Sequence, residues 1–295
     1  MTQTISAKDV AELRGRTSAG MMDCKKALEE AGGDLSRAAE ILRAKGIAKA
    51  EKRAGRSTLQ GVVSGHVNGD ATEGALLMLT CETDFVARTA GFQQTAEALL
   101  AQLAAAAPTD LACFLAQPAA GPTGKTVDEV VKGLSGTTGE GIGLPAAIKY
   151  APGEKGTVGL YLHHNKLVGV LVELACGSEG VARGSGAQEL AREVALHIAS
   201  ADPMAVRPED IPTEVVSRER RIAEEQVVAE GKPEAVRPKI VEGKIRKFLA
   251  ERALLEQPWV KDDKKTVGQL VTEAGNVAGA SFTVTRFVRL RVGEA

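Results

Sequence analysis

The chain has 295 residues, 44% of them hydrophobic and 25% charged, ordinary values for a globular protein and enough length for two or three domains. A net charge of −1 excludes broad electrostatic binding to nucleic acid, and 3% aromatic residues leave few platforms for stacking bases. Cys24, Cys81, Cys113 and Cys176 stand far apart without zinc-ligand spacing, so reduced thiols in a cytoplasmic protein are expected, with no metal and no cofactor.

Residues 1–45 read as three short helices. Ser6 and Asp9 form a capping pair ahead of Val10 and Leu13. Thr17 or Ser18 is placed to cap a second helix carrying Met21, Met22, Cys24, Ala27 and Leu28, which Gly32-Gly33 ends. Asp34 caps a third, with Leu35, Ala38 and Leu42 on one face. Lys45 to Arg56 follows as a basic linker, so residues 1–56 form one module. Charges at Lys8, Asp9, Glu12, Arg14 and Arg16 leave no apolar core for a signal peptide.

The middle of the chain repeats itself. Shifted so that Gly61 falls on Gly156, the sequence matches without a gap as far as Pro108 on Pro203. Val63/Val158, Gly74/Gly169, Leu79/Leu174, Cys81/Cys176 and Gly91/Gly186 coincide, and Val86-Ala87-Arg88 returns as Val181-Ala182-Arg183. Two copies of one structural unit are expected. Each reads as strand, turn, strand, helix: 58–67, a turn at Asn68-Gly69-Asp70, 75–79 and 91–107, then 158–162, 168–174 and 188–200. Short turns make the strands antiparallel, and the fold class is α+β. The most apolar stretch, Ala98 to Ala107, stops at Pro108 and is too short to span a bilayer.

From Pro212 to Leu255 two charge-rich helices flank Gly231-Lys232-Pro233, with Pro233 suited to the start of the second. Val241, Ile245, Phe248, Arg252 and Leu255 alternate four and three residues apart, the seam of an antiparallel coiled-coil hairpin. Pro238 falls early in that helix and is expected to kink it. Thr266-Val267-Gly268-Gln269 is a capping box, and alternation over 282–292 reads as a last strand returning to the second unit. The organisation expected is 57–153 as a first core unit, 154–206 with 258–295 as a second, and 207–257 as an inserted hairpin.

Ala119-Ala120-Gly121-Pro122-Thr123-Gly124-Lys125-Thr126 meets a relaxed phosphate-loop pattern, yet 111–116 is a poor strand and Pro118 follows it. Thr126-Val127-Asp128-Glu129 reads better as a capping box opening a helix. His163 and His164, adjacent on a strand edge, point to opposite faces and do not share a metal. His197 follows Glu193 by one helical turn, so a local hydrogen bond is expected. The basic cluster of Lys45, Lys49, Lys52, Arg53 and Arg56 has no interleaved aromatic and reads as a solvated linker, with an RNA contact as the rival.

Thr83-Asp84-Phe85-Val86-Ala87 follows a strand, where loops carry function. In the second copy Asp84-Phe85 becomes Glu179-Gly180 while the flanking residues persist, so the scaffold does not require the aromatic. Phe85 is either a local core filler or an exposed binding wedge.

These residues complete a set that resembles the bacterial elongation factor Ts family. Leu13-Arg14 through Gly20-Met21-Met22-Asp23-Cys24-Lys25-Lys26-Ala27-Leu28 is similar to its N-terminal signature, and Thr83-Asp84-Phe85-Val86-Ala87 to its second. Val241-Glu242-Gly243 to Phe248, Gln257-Pro258 and Lys265-Thr266-Val267-Gly268-Gln269-Leu270 are similar to its C-terminal half. The resemblance implies a ubiquitin-associated-like three-helix module, two related core subdomains and an inserted coiled coil. It also implies a non-enzymatic exchange factor whose partner is elongation factor Tu. The hairpin pairs either with that partner or with a second copy of the chain, and the charge and hydropathy of the sequence lead to no expected membrane or direct nucleic-acid binding. By the same resemblance Asp84 and Phe85, with Thr83 and Val86, approach the partner's magnesium and switch region. Met21, Met22 and Arg14 contact its nucleotide domain, His164 another domain, and Val260 and Lys261 a further surface. The family's Gly-Glu-Asn loop reads Gly139-Glu140-Gly141 here. A C-terminal helix present in some members is expected to be absent.

Overall fold

A computed structural model describes residues 5–17, 19–51, 53, 55–106, 108–121 and 124–294, with 47–51 through their backbone alone. The first three helices are α1 (Ala7–Thr17), α2 (Met21–Glu30) and α3 (Leu35–Glu51). They close over Leu13, Cys24, Ala27, Leu28 and Ala38. Ser6 caps α1 reciprocally with Asp9, and Asp34 Oδ1 accepts from the amides of Ser36 and Arg37 at the start of α3. The expected cap of α2 is different. Thr17 Oγ1 turns back to donate to Leu13 O at 2.7 Å, Gly20 takes the N-cap place without a side-chain bond, and Ser18 lies outside the described residues.

The basic stretch is not a linker over most of its length, because α3 continues to Glu51. Glycine makes that possible: a Cβ on Gly136 would lie 3.1 Å from the Gly46 Cα, so two backbones meet there with no side chain between them. Arg43 grips both oxygens of Glu129 at 3.0 and 3.1 Å, and Arg53 donates to Ser135 O at 3.1 Å. The three-helix module is thereby docked on the segment that carries Glu129, Ser135 and Gly136.

Two three-stranded antiparallel sheets form the centre. The first holds β1 (Gln60–Val67), β2 (Gly74–Cys81) and β3 (Ile142–Tyr150) in the order β1-β2-β3. Between β2 and β3 run α4 (Asp84–Ala87), α5 (Ala90–Ala105), α6 (Leu111–Ala116) and α7 (Val127–Thr138). The second sheet begins with β4 (Gly156–Leu162) and β5 (Val168–Cys176), followed by α8 (Glu179–Ala182) and α9 (Ser185–Ala201). The repeat is kept to the single residue: Gly61 pairs with Thr80 as Gly156 pairs with Ala175, and Val67 with Gly74 as Leu162 with Gly169.

The repeat also continues further than the sequence reading took it. The chain closes with β6 (Pro258–Trp259), β7 (Asp262–Thr266), α12 (Val267–Ala278) and β8 (Phe282–Arg291), after a hairpin of α10 (Thr213–Ala229) and α11 (Arg237–Arg252). Shifted so that Gln117 falls on Gln257, the first copy overlays this closing segment. Pro118 bridges Thr126 as Pro258 pairs with Thr266. Thr126 and Thr266 each build a capping box, and Gly139 and Gly279 each end the helix in the left-handed conformation. Strands β3 and β8 then flank β2 and β5. Gln117-Pro118, Lys125-Thr126-Val127 and Gly139 recur as Gln257-Pro258, Lys265-Thr266-Val267 and Gly279, a signal the hairpin insertion conceals by changing the displacement.

Strand β3 went unpredicted because it contains Pro145. It is an edge strand, and its register against β2 slips between Met78 and Thr80, where Leu144 and Pro145 sit. The sheets face each other across Val63, Leu76, Met78, Val158 and Leu171, with the helices outside. All of β2 is therefore buried.

The hairpin departs from expectation in detail. Pro238 sits in the first turn of α11, where its missing N–H has no intrahelical partner, and the helix runs on to Arg252. Pro233 instead precedes a short 3-10 turn. The seam joins Ala223 and Val227 to Val241, Ile245 and Leu249; α11 ends before Leu255, which packs on the core of the second copy.

Helix α9 lies so close to β4 that a Cβ on Gly159 would fall 2.3 Å from the Ala191 carbonyl oxygen. Gly159→Ala is expected to lower stability by about 1–3 kcal/mol or more, measured as a fall in the urea midpoint.

Candidate functional site

The segment after β2 is built to expose one ring. Thr83 leaves the strand at φ −124°, ψ 153°, and its Oγ1 accepts from the Val86 amide, opening the single turn α4. Ala87 is buried against the core and Val86 packs beside it, which leaves Phe85 pointing outward at 81% exposure. Phe85 is therefore no core filler. Asp84 beside it pairs with Arg88 at 3.1 Å.

The turn is held from behind by the loop after α7. Glu140 accepts from the Thr83 amide at 3.0 Å and from Thr83 Oγ1 at 2.6 Å. Ser135 Oγ donates to Glu140 O at 2.6 Å, and Glu82 accepts from the Gly141 amide at 2.6 Å. That amide, with Arg56 behind it, holds the half-buried Glu82 carboxyl below its ordinary range. Burial, helped by the Glu140 charge, pushes the Cys81 thiol up to about 11, so it stays protonated and donates to Thr83 O at 3.1 Å. Gly139 lies one residue from this clamp, exposed at φ 79°. Thr83, Asp84, Phe85, Val86 and Gly139 thus share one end of the first sheet. Glu140 carries the contact, and the sequence reading did not single it out.

The other expected residues occupy different elements. Met21 and Met22 are 58% and 64% exposed on α2 and line a groove with Arg14, Val10 and Lys25. His163 and His164 lie in the turn after β4, not on a strand edge. The opposite-face argument does not apply to them: their rings stand edge to face at 4.2 Å. No group of residues able to hold a metal occurs among the described residues.

Val260 and Lys261 sit at the turn between β6 and β7. Lys261 pairs with Glu193 at 2.6 Å, and both ring nitrogens of His197 bond elsewhere, so Glu193 is not its partner. Fully buried, His197 accepts from the Val260 amide through Nδ1 at 3.3 Å. That fixes the other nitrogen as the donor, Nε2 to Gln257 Oε1 at 2.9 Å. Gln257 in turn donates to Glu251 O at 2.7 Å at the foot of the hairpin. Trp259 lies beside this network with Lys265 5.2 Å above its ring.

The phosphate-loop pattern resolves as the expected helix start. Ala119 N donates to Lys125 O, Ala120 N to Gln102 Oε1, and Thr126 with Glu129 makes the capping box; Pro122 and Thr123 lie outside the described residues. In the basic cluster Lys45 pairs with Glu30, Arg53 with Ser135 O and Arg56 with Glu82. The Lys49 side chain and all of Lys52 lie outside the described residues. Cys24, Cys81, Cys113 and Cys176 are free, and no described helix is long and apolar enough to cross a membrane.

Phe85, Met21 and Met22 are thus exposed apolar side chains carried on a duplicated α+β scaffold. A sequence model of the family described as Elongation factor TS matches residues 82–294. Elongation factor Ts of Symbiobacterium thermophilum is 44% identical over 290 residues, covering 98% of this chain and 92% of that protein. Its counterparts from Aquifex aeolicus and Lawsonia intracellularis are 41% and 39% identical and cover 99% of both chains. The chain belongs to the elongation factor Ts family.

Burial holds the His197 imidazole below its ordinary pKa of about 6.5, only partly opposed by Gln257. As pH falls the unfolded chain takes up this proton first. The stability that the neutral ring contributes is complete above about pH 6.5 and is lost as pH drops toward the folded value. The urea midpoint of the wild type is expected to fall more between pH 7.5 and 5.5 than that of His197→Gln, measured in parallel.

Proposed function

We propose that this chain binds elongation factor Tu carrying GDP and promotes GDP release by disturbing the magnesium and phosphate site, so that GTP can rebind. The observation that supports this reading is Phe85, an aromatic ring 81% exposed on a turn whose backbone is tied down. Such a ring gains about 1.5–3 kcal/mol when it enters a partner's pocket. Guanine nucleotide is held through phosphates, backbone amides and a magnesium ion. A protein that prefers the partner with this site distorted weakens the nucleotide, and by reciprocity the nucleotide weakens the protein by the same factor.

One ring does not supply a large acceleration alone. In this reading Asp84 acts beside the ring near the magnesium, and Thr83, Val86 and Gly139 form the surface around it. Met21, Met22 and Arg14 grip the nucleotide domain, while His164, Val260 and Lys261 hold further surfaces. The chain itself undergoes no covalent step and acts in the cytoplasm. An RNA-binding role for the basic stretch is disfavoured by the partners that Lys45, Arg53 and Arg56 already have.

Release of fluorescent GDP from elongation factor Tu tests the reading. The chain is expected to accelerate it, and Phe85→Ala to reduce the stimulated rate about tenfold or more with the melting temperature unchanged. Met21→Ala with Met22→Ala is expected to raise the concentration needed for half-maximal stimulation. Wild-type release with a folded Phe85→Ala variant would remove the wedge from the mechanism.

A further inference from the structure

The two copies of the repeat carry the same turn with different equipment. In the second copy Ser178 takes the place of Thr83, and its side chain accepts from Val181 N as Thr83 accepts from Val86 N. Helix α8 spans Glu179–Ala182 as α4 spans Asp84–Ala87. Gly180 stands where Phe85 does, and Ala280, one residue past the left-handed Gly279, stands where Glu140 does. The equivalence holds in space. A Cβ on Gly177, the counterpart of Glu82, would meet the Ala280 Cβ at 3.7 Å and the Ser281 amide at 3.9 Å. Glu82 likewise reaches the Gly141 amide.

The second copy therefore folds the turn with no carboxylate behind it. Whatever Glu140 does, the turn does not need it to form. Aromatic ring and carboxylate occur together in one copy and are both missing from the other. We propose that Glu140 is a positioning residue for Phe85: its two bonds to Thr83 order the turn and set the direction in which the ring projects.

The chemistry fits that task. A hydroxyl cap alone fixes one amide, and Thr83 Oγ1 makes that bond at 3.4 Å, near the limit of a hydrogen bond. Its proton goes to Glu140 at 2.6 Å, and the Thr83 amide goes to the other carboxylate oxygen at 3.0 Å. Bonds to a charged acceptor are the stronger kind. The carboxylate is itself anchored, since Ser135 holds the Glu140 carbonyl. An exposed ring on a loose turn loses freedom when it binds; one on an ordered turn has less to lose.

The proposal rests on the exchange reading for one of its two tests. In the free protein, amide hydrogen exchange at Val86, Ala87 and Arg88, whose amides bond within the turn, is expected to quicken at least tenfold in Glu140→Ala. Exchange at Val181, Ala182 and Arg183 is expected to stay as it is. Glu140→Gln, which keeps one acceptor oxygen, falls between. Unchanged exchange at Val86, Ala87 and Arg88 overturns the proposal, whether or not the chain releases GDP from anything. If it does release GDP, Glu140→Ala is expected to lower the maximal stimulated rate about tenfold in the wild type. In the Phe85→Ala background the same substitution is expected to cost nothing further. An equal penalty in both backgrounds overturns the proposal and leaves the exchange reading standing. Absence of any stimulation by the wild type removes the exchange reading and leaves the hydrogen-exchange result to decide.

Discussion

Everything in the centre of this molecule depends on how closely the two sheets approach. At Gly74 an added Cβ would fall 2.7 Å from Val158 and 2.8 Å from Leu171. At Gly169, its counterpart in the repeat, it would fall 2.5 Å from Val63 and 3.0 Å from Leu76. Each glycine is a hole that receives aliphatic side chains of the opposite sheet. The sheets also exchange backbone bonds at their margins, Val63 N to Lys166 O at 2.7 Å and Val158 N to Ala71 O at 2.9 Å. Arg286, bonded to the buried Glu173, stacks over Tyr150 of the first sheet at 4.2 Å. The result is one closely packed double layer with a helical layer on each side, and the exposed turns project from its rim.

Much of this was legible in the amino-acid order. The recurrence of Gly61, Gly74, Cys81 and Val86-Ala87-Arg88 announced the duplication, because those positions are fixed by close packing and by the turn. What escaped was governed by contacts between distant residues. Strand β3 carries Pro145 in a bulge at the sheet edge, so its local pattern does not alternate. The lysine-rich end of α3 has the composition of a linker, and its helix is stabilised by Gly46 meeting Gly136. The closing half of the repeat was hidden by the inserted hairpin, though Lys125-Thr126-Val127 and Lys265-Thr266-Val267 were there to be matched.

The same distinction separates the parts of the candidate site. Phe85 could be singled out from the sequence because the second copy has glycine in its place, and the structure decides between core and surface by leaving the ring exposed. The partners of that turn could not be read, because Glu140 reaches Thr83 across 57 residues of chain. His197 shows the converse. Helical spacing pointed to Glu193 as its neighbour, but both ring nitrogens are taken by the segment after the hairpin, and Glu193 is engaged by Lys261.

That segment carries the chain's one tryptophan. Trp259 precedes Val260 directly, half-covered, with the Lys265 ammonium above its ring and its indole nitrogen without a protein partner. Indole emission depends on nearby charge and water, so the molecule contains its own optical gauge for the β6–β7 corner. Occupation of that corner becomes visible in the intrinsic spectrum, with no dye attached and no second tryptophan in this chain to blur the signal.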